Sequence, residues 1–225
     1  MINGLAEEIE KCGILCQALG LPMSVLHTNE LLETVTNPNA AYMDENGADR
    51  IAQMLSGTIE KELSLRQFFA ISPDRARFYD ESAEPFGSSV ASAFPSTTFD
   101  AIEAKRCFSL GRNTACVFHL MRVMEIGLSI MAKEFGVPSD HTNWQNILNG
   151  VDKAVRSMAV DPSKPKDWKD LKEFYSQATS HFMVTKDAWR NYTAHVRGKY
   201  TDEEAETLLI NVRGFIQKLS IRLHE

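Results

Sequence analysis

The residues best suited to chemistry form a short polar run, 189–195, which reads Trp-Arg-Asn-Tyr-Thr-Ala-His. On a helix, Asn191 and His195 are four residues apart and lie about 40° from each other on one stripe. Arg190 lies about 140° from His195, so it needs its full length to reach a shared ligand. Arginine offers phosphate oxygens a charged fork, histidine exchanges protons near neutral pH, and asparagine can hold a sugar hydroxyl. These residue types suit a phosphodiester.

The same run also has a structural interpretation. His195 can cap the C-terminal end of its helix, and Arg190 can pair with a nearby acid such as Asp187. Spacing by itself favours this interpretation over the chemical one. Both stay open at the level of the residues alone.

A second polar group, His119, Arg122 and Glu125, lies on an otherwise apolar helical stretch. Successive members are three residues apart, so they are neighbours on one face of a helix. In the functional interpretation, one of them reaches the same cleft as Arg190 and His195. In the structural interpretation, they form a buried ion pair that fixes the register of the helix, and we favour this second interpretation.

The positions of these residues depend on the helices that the apolar periodicity predicts. From about 166 to 197, apolar residues recur at alternating spacings of three and four, which is typical of a helix packed nearly parallel or antiparallel to its neighbours. Gly198 ends this pattern, and Thr201 with Glu204 predicts a capping box at the start of the last helix. Within 115–135, fourteen of twenty-one residues are apolar and occupy nearly every face. The helix predicted over 112–135 is therefore expected to be central in the bundle.

Further helices are predicted on both sides of a boundary near residue 95. No convincing alternating strand pattern occurs, and the stretch 72–95 is predicted to be an irregular connector with a short helix at 86–93. We therefore expect an all-α protein with an acidic N-terminal helical segment over 1–95 and an up-and-down helical bundle over 96–225. The remaining predicted helices are 4–19, 22–36, 47–70, 99–110 and 143–158.

The element Arg190-Asn191-x-x-x-His195, at the end of a long helix and before a capped helix, resembles the signature of HEPN domains (higher eukaryotes and prokaryotes nucleotide-binding). That family's pattern is an arginine followed by four to six residues and a histidine, often with Asn, Asp or His directly after the arginine. The resemblance covers roughly 96–225 and includes the apolar stretch 116–125. It implies a HEPN-like bundle, whereas 1–95 matches no family pattern that we recognise.

The resemblance also implies an activity. Many HEPN proteins are metal-independent endoribonucleases, often toxins or defence effectors, in which two protomers bring their motifs together across a cleft. Carried onto this chain, His195 would act on the proton of the attacking 2′-hydroxyl or of the leaving group. Arg190 would stabilise the charge that develops on the phosphate, and Asn191 would orient one of these partners. The products would carry a 2′,3′-cyclic phosphate and a 5′-hydroxyl. A homodimer, RNA or a nucleotide, and an antitoxin-like protein are the implied partners.

The charge balance bears on these partners. The chain has 24 Lys+Arg and 30 Asp+Glu, a net of −6, which taken alone argues against a strongly basic nucleic-acid binder. Residues 1–95, however, carry 6 Lys+Arg and 14 Asp+Glu, a net charge of −8. Residues 96–225 carry 18 Lys+Arg and 16 Asp+Glu, a net charge of +2. The acidity therefore belongs to the N-terminal segment. We expect that segment to cover or border the cleft and to limit non-specific RNA binding.

Other site classes lack support in the sequence. The four cysteines, at 12, 16, 107 and 116, have no zinc-site spacing and are expected to be small buried thiols in a reducing cytosol. We find no glycine-rich phosphate loop and no serine or cysteine nucleophile pattern, and we expect neither a cofactor nor a metal. No secretory leader and no membrane span is expected, so a cytoplasmic location is predicted.

Three hypotheses follow. The first is a homodimeric HEPN-type endoribonuclease, and the second is a non-catalytic HEPN-like module that binds a nucleotide or a protein through the same groove. The third is a structural helical protein in which the motif is incidental. The presence of Arg190, Asn191 and His195 together favours the first over the second.

Overall fold

The computed structural model describes residues 2–37, 45–79, 84–139, 144–159, 163, 165–186 and 199–225. All regular secondary structure within these ranges is helical, which confirms the predicted all-α class. The chain divides into two compact units, Met1–Ala70 and Ile71–Glu225. The predicted boundary near residue 95 lies inside the second unit.

In the part of the first unit that the structure describes there are three helices, α1 (Ile2–Ala18), α2 (Pro22–Thr36) and α3 (Glu45–Ser64). α2 packs against both α1 and α3. A small apolar core joins them, and its buried members are Ile9, Leu31, Val35 and Leu55.

Within its described residues, the second unit contains seven α-helices whose buried faces form one continuous apolar core: α4 (Pro73–Tyr79), α5 (Ser88–Ala93), α6 (Thr98–Ser109), α7 (Asn113–Glu134), α8 (Trp144–Ser157), α9 (Trp168–Thr185) and α10 (Asp202–Leu219). α7 packs against α6, α8 and α10, and α8 packs against α9. Eleven of the 22 residues of α7 are buried, so the prediction of a central helix is confirmed.

The close packing of α7 depends on Gly127. A Cβ at this position would lie 3.0 Å from Ile216 Cδ1 of α10 and 3.6 Å from the Phe182 ring of α9. Three helices therefore approach one another at a point where only a hydrogen occupies the side-chain position.

Within the described residues, α7 is also the single helix long and apolar enough to cross a membrane by length and composition. Because 61% of its most apolar window is buried in the bundle, α7 has the character of a core helix.

In the sequence, the predicted motif 190–195 lies between the end of α9 and the start of α10. On α9, the seam residues Tyr175, Ala178, Phe182 and Thr185 are buried, as the heptad-like spacing predicts. The capping box of α10 is confirmed, because the Glu204 N–H donates to Thr201 Oγ1 at 3.2 Å and the Thr201 N–H donates to a Glu204 carboxylate oxygen at 2.8 Å.

The charge separates between the two units. Residues 1–70 carry 4 Lys+Arg and 10 Asp+Glu, a net of −6, whereas 71–225 carry 20 of each and are neutral overall. The acidity of the chain therefore resides in the first unit, and the second unit has no excess of negative charge that would repel a phosphate backbone.

Candidate functional site

The predicted motif residues Arg190, Asn191 and His195 lie outside the described residues, as does Asp187 of the structural alternative. Their roles stay predictions. The second predicted group, His119, Arg122 and Glu125, lies within α7 and is fully described.

His119 and Arg122 meet on a residue of the neighbouring helix, Asp100 of α6. Asp100 Oδ1 lies 2.8 Å from His119 Nδ1 and 2.7 Å from Arg122 Nε. The Asp100 side chain is only 4% exposed, whereas those of His119 and Arg122 are 20% and 51% exposed. We refer to Asp100, His119 and Arg122 as the Asp100 cluster. It holds an imidazole and a guanidinium side by side at the surface of the bundle.

The electrostatics of the Asp100 cluster follow from this geometry. The hydrogen bond and the charge of Asp100 raise the pKa of Arg122, with a smaller contribution from the nearby charge of Glu125. The contact with a carboxylate also requires His119 to carry its proton on Nδ1, since only a donor can meet that oxygen. Asp100 therefore fixes the orientation and the tautomer of the imidazole, in the manner by which a carboxylate orients a histidine in an active site.

Glu125, the third member of the predicted group, has a different partner. Its carboxylate accepts a hydrogen bond of 3.1 Å from Trp144 Nε1 on α8. Among the contacts described, this group hydrogen-bonds to α6 and α8, and the charge of Glu125 also acts on Arg122 along α7. These polar contacts favour one alignment of α7 with its neighbours, as a buried ion pair would.

Two aromatic side chains flank His119. Phe99 and Phe118 pack edge-on against its ring, with centroid distances of 6.3 and 5.9 Å. Both are largely exposed, at 64% and 53%. An exposed aromatic ring beside a cationic side chain can stack a nucleobase while the cation contacts the backbone.

A metal-ligating group adjoins the Asp100 cluster. Glu103 and Cys107 of α6 and His119 of α7 each offer a ligand atom, and these three atoms all lie within 4.8 Å of one another. All three residues are half-buried. Sequence spacing missed this group because its members come from two helices.

Two surface pockets of the second unit have the volume of a small-molecule site. One, of about 320 Å³, is lined by three basic residues, Arg77, Lys105 and Arg213, together with Glu206 and apolar side chains. Arg77 lies 3.4 Å from the Glu206 carboxylate. With three cations and one carboxylate, this pocket favours an anionic ligand.

The other pocket, of about 330 Å³, lies between α9 and α10 and contains His181. The His181 ring stacks on Phe215 with centroids 3.9 Å apart. Its Nε2 is buried and has no hydrogen-bond partner among the described residues. Burial, aided by the charge of Lys218, lowers the pKa of His181. The imidazole is therefore held neutral near physiological pH.

Asp100 is another residue of this region that sequence reasoning missed. The available signal was an acid in the first turn of one apolar-faced helix, followed by a histidine and an arginine on the next. Pairing them requires the packing of α6 on α7, which the sequence pattern does not specify.

Comparisons with protein-family models, with curated proteins and with solved structures each return no match. The resemblance to HEPN domains therefore rests on the motif and its helical setting in this sequence.

Proposed function

We propose that the chain is a metal-independent endoribonuclease of the HEPN type that cleaves RNA in a cleft shared by two protomers. The observation that carries the proposal is the combination of Arg190, Asn191 and His195 at a spacing typical of that family, near the end of a long predicted helix with a regular apolar seam. A role as a toxin or defence effector held in check by a protein partner is part of the same proposal.

The chemistry assigned to these residues is an internal transfer. The ribose 2′-hydroxyl attacks the adjacent phosphorus, and the bond from phosphorus to the 5′-oxygen breaks. The products are a 2′,3′-cyclic phosphate and a 5′-hydroxyl. His195 takes the proton from the 2′-hydroxyl or returns one to the leaving oxygen, and Arg190 stabilises the negative charge on the phosphate. Asn191 orients one of these partners.

The described part of the second unit supports this proposal in two respects. It is an all-α bundle, which the proposed fold requires. It also presents an oriented imidazole and guanidinium, His119 and Arg122, beside the exposed rings of Phe99 and Phe118. These four side chains have the chemistry of an RNA-contacting surface, namely phosphate contact and base stacking.

The experiment compares RNA cleavage in excess EDTA by the wild type, Arg190→Ala and His195→Ala. We expect cleavage by the wild type and a loss of roughly 100-fold or more in each variant, since acid–base catalysis by His195 and charge stabilisation by Arg190 each contribute about that much. Arg156→Ala and His224→Ala are matched controls, because both side chains are exposed. Equal cleavage in all five proteins would indicate a contaminating nuclease and contradict the proposal.

A second candidate function, a non-catalytic module that binds a nucleotide or a protein, is favoured by the Asp100 cluster. His119 and Arg122 are held together by Asp100 through contacts that do not involve 190–195. Such a pair can bind a phosphate without cleaving it. Nucleotide binding that Arg122→Ala abolishes, with no cleavage by the wild type, would favour this function.

A further inference from the structure

We propose that Glu103 and Cys107 of α6 and His119 of α7 form a half-buried Zn²⁺ site. The three residues offer a carboxylate, a thiol and an imidazole, one ligand atom each, with all three atoms within 4.8 Å of one another. The proposal does not rest on catalysis by Arg190 and His195, which is expected to proceed without metal, but a bound ion would take the His119 nitrogen that could otherwise contact a phosphate.

The helical geometry explains why these ligands converge. Glu103 and Cys107 are four residues apart on α6, so they lie one turn apart on the same face. His119 comes from α7, which packs closely along α6 after a short turn. Both helices belong to the main core, so the ligands are carried by rigid elements rather than by loops.

The distances suit a small tetrahedral ion. Zinc bonds of about 2.0–2.3 Å at tetrahedral angles place neighbouring ligand atoms about 3.4–3.6 Å apart. Ligand atoms within 4.8 Å of one another therefore need to move by about 1 Å or less, which side-chain rotation supplies. Three protein ligands leave the fourth position of the ion for water.

His119 is oriented for this role by a residue outside the ligand set. Its Nδ1 donates to Asp100, a carboxylate that is only 4% exposed, so Nε2 is the nitrogen that the ring offers to an ion. Metal-binding histidines almost always donate their other ring N–H in this way, often to a carboxylate. Asp100 is therefore a positioning residue for the site.

The ligand chemistry selects the ion. A thiolate with an imidazole and a carboxylate favours Zn²⁺ over Mg²⁺ or Ca²⁺, which prefer oxygen ligands alone. The competing contact within the protein is weak, because Arg106 Nη1 lies 3.3 Å from a Glu103 oxygen in a partly exposed pair. The ion can displace it, and the half-buried position leaves a path from solvent.

The experiment titrates tag-free, reduced, full-length protein with Co²⁺ as a spectroscopic probe, followed by displacement with Zn²⁺. We expect one Co²⁺ per chain with a thiolate-to-metal charge-transfer band that Zn²⁺ abolishes and Mg²⁺ does not. Cys107→Ser should lose the band, and Glu103→Gln should weaken binding. Asp100→Asn should lower the affinity roughly 10–100-fold through the orientation of His119. Cys12→Ser is the matched control, a half-buried thiol of the first unit, and should keep the band.

The same titration can overturn the proposal. Absence of the band in the wild type, its persistence in Cys107→Ser, or its loss on addition of Mg²⁺ would each do so. If Cys107→Ser does not fold, Glu103→Gln provides the test, since its side chain is 30% exposed and the change conserves its shape. Unchanged Co²⁺ affinity in folded Glu103→Gln would then contradict the site.

Discussion

Replacement of Asp100 by alanine should destabilise the second unit strongly. The Asp100 carboxylate is 4% exposed and accepts two hydrogen bonds, from His119 Nδ1 and Arg122 Nε. Hydrogen bonds to a charged group contribute about 1.5–3 kcal/mol each. Because Arg122 is 51% exposed, its guanidinium can return to water, and the stability lost with its hydrogen bond lies toward the lower end of that range. We expect a loss of about 2–4 kcal/mol in the free energy of unfolding.

Tryptophan fluorescence is the appropriate probe for this loss. All three tryptophans, at 144, 168 and 189, belong to the second unit, so a urea titration reports on that unit alone. Asp152→Ala is the matched control, since it removes a surface contact of 2.8 Å with Arg156, whose side chain is 77% exposed. A pair of that kind contributes about 0.3–0.5 kcal/mol.

A double-mutant cycle separates the interaction energy of Asp100 and Arg122 from the contribution of their packing against other residues. Combining Asp100→Ala with Arg122→Met should give a smaller loss than the sum of the two single variants, by about 0.5–3 kcal/mol, because the contact between the two residues is removed only once. If Asp100→Ala costs no more than Asp152→Ala, the two hydrogen bonds do not stabilise the fold and this reasoning is wrong.

Three further predictions concern stability. Thr201→Ala should cost about 1 kcal/mol, measured by thermal unfolding, because it removes the capping box of α10, while exposed Glu203→Ala should cost less. Phe182→Ala should cost about 3–5 kcal/mol in urea titration, since its fully buried ring packs on Trp144 and Phe215, whereas the exposed Val184→Ala should change stability by less than about 0.5 kcal/mol. Because the pKa of His181 is lowered in the fold, the unfolded chain binds the proton more readily, so stability should fall as the pH drops below about 6.5. His181→Phe should reduce this pH dependence and His224→Ala should not; equal slopes in all three proteins would refute the assignment.

Local patterns predicted most of the helical architecture. The α10 cap follows from Thr201 and Glu204 alone, since a capping box is a contact within one turn. The central position of α7 follows from apolar residues on every face. Both features depend on residues of a single segment, so they can be recognised from the sequence alone.

Contacts between segments were harder to predict. The third helix was expected to continue to residue 70 but ends at Ser64, and Arg66 instead reaches the backbone carbonyls of Leu19 and Gly20. The short helix α4 lies within the predicted connector, where Pro73 at its first position favours a helix start that the proline-rich composition obscured.

The candidate site shows the same limit. His119 and Arg122 were identified from their polarity on an apolar helix, but their shared partner Asp100 lies 19 and 22 residues earlier in the chain. No helical period connects them. The pairing arises from the packing of α6 on α7, and the ligand group that includes Glu103 and Cys107 arises in the same way.

The chemistry of the cut ends tests the proposed function most directly. An RNA oligonucleotide is incubated with the wild type and with His195→Ala in excess EDTA, and the fragments are analysed by mass spectrometry. The proposal predicts wild-type fragments with 2′,3′-cyclic phosphate and 5′-hydroxyl ends, blocked by a 2′-O-methyl group at the cut site and lost in His195→Ala. Absence of cleavage by the wild type, cleavage of the methylated RNA, or undiminished cleavage by His195→Ala would contradict it.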